Sequence, residues 1–143
     1  MRVLAVDPGD RRLGVALSDP SGTIASPVMV LEHVSRQANA AAIVALARQR
    51  GVARIIIGQS LDVDGEPDFQ GRKAARLAGA IRDLCELPVE LWDESFSTTE
   101  AQAARRALDA PRDKRSGHLD ELAATFILQS YLDAHAPTNP GED

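Results

Sequence analysis

Three acidic positions have residue types and locations that could hold a divalent metal ion. Asp7 follows the apolar run Leu4–Val6, Asp93 and Glu94 follow a second run ending at Trp92, and Asp120 lies in an apolar segment near the C-terminus. Carboxylates at the carboxyl ends of neighbouring strands gather at one edge of an open α/β sheet, where ligands bind. Oxygen ligands of this kind suit Mg²⁺ or Mn²⁺. No CxxC or HxxxH spacing indicates zinc.

Each acidic position also has an explanation without a metal. Asp7 opens an Asp-Pro-Gly sequence, which favours a tight turn. Asp93 and Glu94 precede a predicted helix whose dipole favours acidic residues, and Asp120 could be a helix-start residue. In a helix, however, Asp120 shares a face with Ile127 and Tyr131, where an unpaired charge is unfavourable. The combination of the three positions therefore favours a metal site, and two ions there could promote phosphodiester hydrolysis.

Basic side chains supply a candidate surface for a nucleic-acid backbone. Among the 16 basic residues, only Lys73 and Lys114 are lysines, and arginine can contact a phosphate through two hydrogen bonds. Any one basic cluster could also be a solvated face. A net charge of −5 argues against indiscriminate coating of nucleic acid but permits a local basic surface. The candidate contacts are Arg11, Arg12, Arg72, Lys73, Arg76 and Arg115.

The length and composition bound the class of protein. A chain of 143 residues suits one domain, which we place at residues 1–136, with a loose tail over 137–143 that contains two prolines. Aromatic residues make up only 3%, so recognition of nucleic-acid shape and backbone is expected more than base stacking. No apolar run approaches the roughly 20 residues of a membrane span. The single Cys85 fits a reducing compartment, so a cytoplasmic location is expected.

The pattern of apolar residues, caps and turns predicts the order β-β-β-α-β-α-β-α-α. This order gives an α/β fold with a mixed five-stranded sheet, three antiparallel strands followed by two parallel ones, covered by helices. Ser35 is expected to cap the first helix and Gly51 to end it, and Pro27 indicates an edge strand or a bulge. Strands are predicted over 2–7, 13–18, 23–31, 55–57 and 88–92, and helices over 36–50, 68–86, 97–108 and 118–134.

Four segments in order resemble the YqgF/RuvX-type family of RNase H-like bacterial proteins, and the similarity runs from about Val3 to Leu132. The first is Asp7–Ala16, which looks like an Asp-x-Gly-x-x-Arg-x-Gly-x-Ala motif. The others are the glycine loop at 58–65, the Asp-Glu segment at 93–98 and the terminal motif at 120–132. The chain departs from the family pattern at Ser60, at Asp62 and at Ser95, which stands where arginine is usual.

The resemblance implies an RNase H-like fold and assigns the family's catalytic, metal-binding carboxylates to Asp7, Glu94 and Asp120. It implies a nuclease that matures the 5′ end of precursor 16S rRNA, or one that cleaves Holliday junctions. Because Ser95 stands in place of the usual arginine, one phosphate or ion-pair contact of the family is missing, and Arg11 or Arg12 could replace it.

We therefore expect a metal-dependent endonuclease using Mg²⁺ or Mn²⁺ on structured RNA, with branched DNA as the close alternative. A monomer and a homodimer both remain open, and junction cleavage would favour a two-fold dimer. Two other classes share some of the pattern. An actin-like ATPase would require a longer chain to enclose a nucleotide. A non-catalytic RNA-binding module would bind RNA regardless of chelator or of substitution at Asp7.

Overall fold

The fold is described from a computed structural model that covers residues 1–96 and 117–136, with the backbone alone for residues 96 and 117–120. The helix predicted over 97–108, the candidate contact Arg115 and the tail at 137–143 lie outside the described residues. Within the described part of the chain, no helix is long and apolar enough to cross a membrane.

Five strands form one sheet in the order β3-β2-β1-β4-β5. β1, β2 and β3 pair antiparallel, whereas β1, β4 and β5 are parallel, so the predicted mixed sheet is confirmed. The parallel strands are short apolar runs because both faces of the sheet are covered. The strands are β1 at Val3–Pro8, β2 at Arg12–Ser18, β3 at Ala25–Glu32, β4 at Arg54–Gln59 and β5 at Val89–Asp93.

Helices cover the two faces of the sheet unequally. α1 (Arg36–Gln49) and α2 (Phe69–Arg82) pack together over one face, and α3 (Gly117–Ala134) packs over the other, mainly on β1, β2 and β3. Strand alternation separates the two cores, because successive side chains point to opposite faces. Leu4, Val6 and Ile57 belong to the core under α1 and α2, whereas Ala5 and Ile56 belong to the core under α3.

Local signals explain most element boundaries. The Ser35 hydroxyl accepts a hydrogen bond from the N–H of Ala38 at 3.0 Å, so the predicted cap of α1 is confirmed. Gly51, with a φ of +67°, follows the end of α1 as predicted. β3 is an edge strand, and its register with β2 shifts between Val15 and Ala16 beside Pro27, so the edge and the bulge both occur.

The prediction that α2 extends to residue 86 is wrong, because the helix ends at Arg82. The N–H of Leu84 bonds to the carbonyl of Ile81 at 3.0 Å, which tightens the last turn. The Arg82 guanidinium then donates to the carbonyl of Val89 at 2.7 Å. The chain folds back into β5, and Leu84, which lies beyond the end of the helix, is 45% exposed.

Candidate metal and nucleic-acid site

Asp7 lies near the end of the central strand, between two glycines. In β2 its pairing partner is Gly14. In β4, Gly58 follows Ile57, the partner of Val6, and therefore lies beside Asp7. Asp7 points to the α3 face, because Ala5, two residues earlier, belongs to the core beneath that helix. Asp7 is half-buried, and at the positions beside it the two flanking strands carry no side chain.

Strand alternation distinguishes Glu94 from Asp93. Trp92 packs with the core beneath α3, so Asp93 falls on the opposite face, where its partner Gln59 donates to the carbonyl of Gly71. The Asp93 carboxylate also accepts the N–H of Ser95 at 2.9 Å and so caps the short 3₁₀ turn that begins at Glu94. Asp93 therefore shapes the turn, and Glu94 is the carboxylate that remains for the α3 side of this edge.

The last helix runs against the direction of β1, β4 and β5. Ile127 lies over Gly58, where an added Cβ would come within 2.8 Å of the Ile127 Cδ1 atom. One turn later, Ser130 accepts a hydrogen bond from the Trp92 indole N–H at 2.9 Å. Tyr131 follows near the start of β4, where burial and the nearby Glu90 carboxylate raise its pKa. The N-terminal turn of α3 therefore extends toward the carboxyl edge of the sheet.

In this direction the first turn of α3, which contains Asp120, extends beyond Gly58 toward the edge that carries Asp7 and Glu94. Asp120 lies in the first turn of α3, seven residues before Ile127, which corresponds to about 10 Å along a helix axis. Its side chain is outside the described residues. Gly58 permits the close approach of α3, so a residue of β4 helps to position the helix that carries the third acid.

The donor set fits a divalent metal that prefers oxygen. Asp7 and Glu94 supply carboxylates at one sheet edge, both half-buried, and Asp120 lies in the helix turn that extends to the same edge. The described side chains contain no group of three His, Cys, Asp or Glu residues that could hold a metal ion. The Asp120 side chain is not among these described side chains. The chemistry of the donors therefore matches Mg²⁺ or Mn²⁺ through carboxylates alone.

The basic residues predicted to contact nucleic acid divide into separate groups. Lys73 pairs with Asp10 at 2.9 Å, and Gln70 donates to the same carboxylate, so this part of α2 is fixed to the turn after Asp7. The Arg72 guanidinium donates to the carbonyl of Pro67 at 3.2 Å.

Two of the remaining basic residues lie in or beside the turn that follows Asp7. Arg12 begins β2 two residues before Gly14, so alternation places it on the same face as Asp7. Arg11 is exposed in the turn itself.

The loop after β4 is fixed at its end by a residue that departs from the family pattern. The Ser60 hydroxyl donates to Asp68, the N-cap of α2, whose carboxylate also accepts the N–H of Gly71 at 2.8 Å. The Ser60 hydroxyl is the largest of the effects that lower the pKa of Asp68. Asp62 accepts the N–H groups of Asp64 and Glu66, so it shapes the loop tip. Ser60 and Asp62, two of the departures from the family pattern, therefore have local structural roles.

Sequence reasoning missed a polar wall next to this site. Arg36 and Asn39 of α1, with His33 at the end of β3, line a cavity that also contains Arg76 of α2. No local motif marks these residues, and Arg76 joins the other three only because α2 packs against α1. The pairing of Asp7 with Gly14 was likewise missed, although both glycines beside Asp7 belong to recognised motifs.

The fold is that of RNase H-like resolvases. A solved structure of Thermus thermophilus RuvC in complex with Holliday junction substrate matches with a TM-score of 0.60 and 15% identity, covering 96% of this chain and 98% of that one. The fowlpox virus Holliday junction resolvase matches with a TM-score of 0.55 and 15% identity, covering 94% and 99%. At these identities the likeness supports the fold alone, and the predicted fold class is confirmed.

The chain belongs to the RuvX family, whose model is described as Holliday junction resolvase and matches residues 1–134. A relative from Caldanaerobacter subterraneus subsp. tengcongensis, named "Putative pre-16S rRNA nuclease", is 36% identical over 94% of this chain and 97% of its own length. A Syntrophus aciditrophicus relative of the same name is 39% identical over 94% and 89%. The family resemblance and the nuclease class predicted from the motifs are thus confirmed.

Proposed function

We propose that the protein is a divalent-metal-dependent endonuclease that hydrolyses phosphodiester bonds in structured RNA, at the 5′ end of precursor 16S rRNA. The observation that supports this proposal is that Asp7 and Glu94 lie at one edge of the sheet and that the first turn of α3 extends toward the same edge. Curated relatives named as pre-16S rRNA nucleases support RNA as the substrate. In this proposal, Asp7, Glu94 and Asp120 hold Mg²⁺ or Mn²⁺.

The metal would supply Lewis-acid chemistry, activating water and neutralising charge on the leaving oxygen. The chain's own residues would do the positioning. Asp7, on the central strand, would contribute the middle carboxylate, with Glu94 and Asp120 on its outer sides. Arg12, on the same face as Asp7, would orient the scissile phosphate. Close packing of Ile127 on Gly58 would hold Asp120 at the required depth.

Cleavage of Holliday junctions is the second candidate function. The description of the family and the structural likeness to resolvases favour it. A junction resolvase would act as a two-fold dimer with paired sites, whereas an RNA endonuclease could act as a monomer. We also propose a cytoplasmic location and a single domain over residues 1–136, as the sequence predicts.

Matched substrates test the proposal. Purified protein would be incubated with a precursor 16S 5′ leader RNA and with a four-way DNA junction, each with Mg²⁺, Mn²⁺ or EDTA. We expect metal-dependent cleavage of the RNA, with no cleavage in EDTA. Cleavage of the junction alone would favour the resolvase, with light scattering reporting the dimer. RNA binding without cleavage in any metal would contradict the proposal and favour a non-catalytic module.

A further inference from the structure

A cavity of about 390 Å³ lies on the other face of the sheet from α3, beside the turn that follows Asp7. Its floor is apolar, formed by Leu13 of β2 and Leu77 of α2, which belong to the core under α1 and α2. One wall is formed by His33, which follows β3, and by polar residues of α1, and the opposite wall by polar residues of α2. The cavity is therefore separate from the carboxylate site and shares only the turn at residues 8–10 with it.

The charge of this cavity is opposite to that of the whole protein. Its lining includes the cations Arg36, Lys73 and Arg76 and the single carboxylate of Asp10, which leaves a formal charge of +2 in a protein of net charge −5. Lys73 is paired with Asp10. Within the described part of the chain, the guanidinium groups of Arg36 and Arg76 form no hydrogen bond or ion pair. Two guanidinium groups are therefore available to an anionic ligand.

A fixed hydrogen-bond network adds a neutral donor to the same wall. Asn39 is 5% exposed, and its side-chain oxygen accepts the N–H of Val34 at 3.1 Å. Its amide nitrogen must therefore donate to His33 Nδ1, which lies 2.9 Å away. With Nδ1 accepting, the neutral His33 ring carries its proton on Nε2 and presents it as a donor. The wall thus combines guanidinium and imidazole N–H groups, which suit phosphate oxygens.

We propose that this cavity binds the phosphate monoester of a nucleotide. A monoester carries a charge of about −1.5 to −2 at neutral pH, which matches the charge of the cavity better than the single charge of a backbone diester. The volume lies within the range of roughly 300–1,000 Å³ typical of small-molecule sites, so a sugar and base fit beside the phosphate. The apolar floor at Leu13 and Leu77 would contact them.

The nucleotide could come from two sources, either a free nucleoside monophosphate or the phosphorylated end of a strand. The second source rests on the proposed nuclease function, because the strand would then pass over the turn at residues 8–10 to reach Asp7. Binding at a phosphorylated end would fix the distance from that end to the scissile bond. Both sources use the same cavity chemistry.

Binding measured in EDTA tests the proposal without cleavage. Calorimetry would compare adenosine 5′-monophosphate with adenosine, and fluorescence anisotropy would compare a ten-nucleotide RNA with and without a 5′-phosphate. Arg36→Gln and Arg76→Gln remove the two available guanidiniums. Arg50→Gln, at the opposite end of α1, removes the same charge outside the cavity and is the matched control. Circular dichroism and Tm would check the fold of each variant.

We expect the phosphate to strengthen binding at least about tenfold, and each cavity substitution to remove most of that gain, as charge-assisted hydrogen bonds predict. Arg50→Gln should leave it unchanged. Tighter binding of the RNA that carries a 5′-phosphate than of the RNA without it supports a strand end as the source. Binding of adenosine 5′-monophosphate without that difference between the RNAs supports a free nucleotide. The proposal is overturned if neither probe shows phosphate-dependent binding, or if Arg50→Gln weakens it as much as Arg76→Gln. Asp7→Asn should retain this binding whether or not the nuclease proposal holds.

Discussion

Replacing Gly71 with alanine should destabilise the protein, although alanine is the better helix former. Gly71 is the third residue of α2, and a Cβ at this position would overlap the carbonyl oxygen of Ser60 and lie 3.2 Å from the Pro67 Cβ. Ser60 cannot move away easily, because its hydroxyl bonds Asp68 and its carbonyl accepts the N–H of Asp68. The clash is with backbone, so a change of rotamer cannot relieve it.

The same helix contains a matched control at Gly79, where an added Cβ meets no atom within 4 Å. Gly79→Ala should raise the free energy of unfolding by roughly 0.5–1 kcal/mol through helix propensity. Gly71→Ala gains the same propensity but adds overpacking of about 1–3 kcal/mol or more, so it should be less stable than wild type by about 1–2 kcal/mol. The two variants should therefore differ by about 1.5–3 kcal/mol.

Urea denaturation would measure both free energies, with fluorescence of Trp92, the single tryptophan, and circular dichroism as probes. Coincident transitions from the two probes would justify a two-state analysis. If Gly71→Ala proved as stable as Gly79→Ala, the close packing of α2 on Ser60 would be wrong. The positions of Lys73 and Arg76, which lie on the same helix, would then be wrong as well.

Two further changes test the packing around the site. Asp68 contributes stability above its unfolded pKa of about 3.9, and this stability is lost as the pH falls through its lower folded pKa. Asp68→Asn keeps a capping side chain but should reduce the loss of unfolding free energy between pH 7 and pH 2, measured by denaturation. An unchanged pH profile would contradict the lowered pKa of Asp68. Ser130→Ala removes the acceptor of the Trp92 N–H and should cost about 1 kcal/mol and alter Trp92 fluorescence, whereas unchanged emission and stability would argue against this contact.

The parts of the fold that local chemistry determines could be predicted from the sequence. The cap at Ser35, the bulge beside Pro27 and the mixed antiparallel and parallel sheet follow from side chains near each position and from the rules of chain connection. The end of α2 could not be predicted in this way. It depends on the contact of Arg82 with Val89, which exists only after β5 joins the sheet.

The candidate site shows the same division. Asp7 could be located from the strand and turn around it, and the family motif distinguished Glu94 from Asp93 before strand alternation gave a physical reason. The cavity of His33, Arg36 and Asn39 could not be found, because Lys73 and Arg76 face these residues only when α2 packs on α1. The close approach of α3 at Gly58 has no sequence signal beyond the glycine itself.

The central claim is that Asp7 holds the metal that cleavage requires, and the most direct test compares Asp7→Asn with Asp93→Asn. Asp93 is the matched control, because it lies at the same edge of the sheet but on the opposite face, and asparagine can still accept the Ser95 N–H. Cleavage of precursor 16S leader RNA would be measured in Mg²⁺ and in Mn²⁺, with Tm as the check of folding. We expect Asp7→Asn to fold normally and to lose cleavage in both metals, while Asp93→Asn retains it. Undiminished cleavage by Asp7→Asn would contradict the central claim.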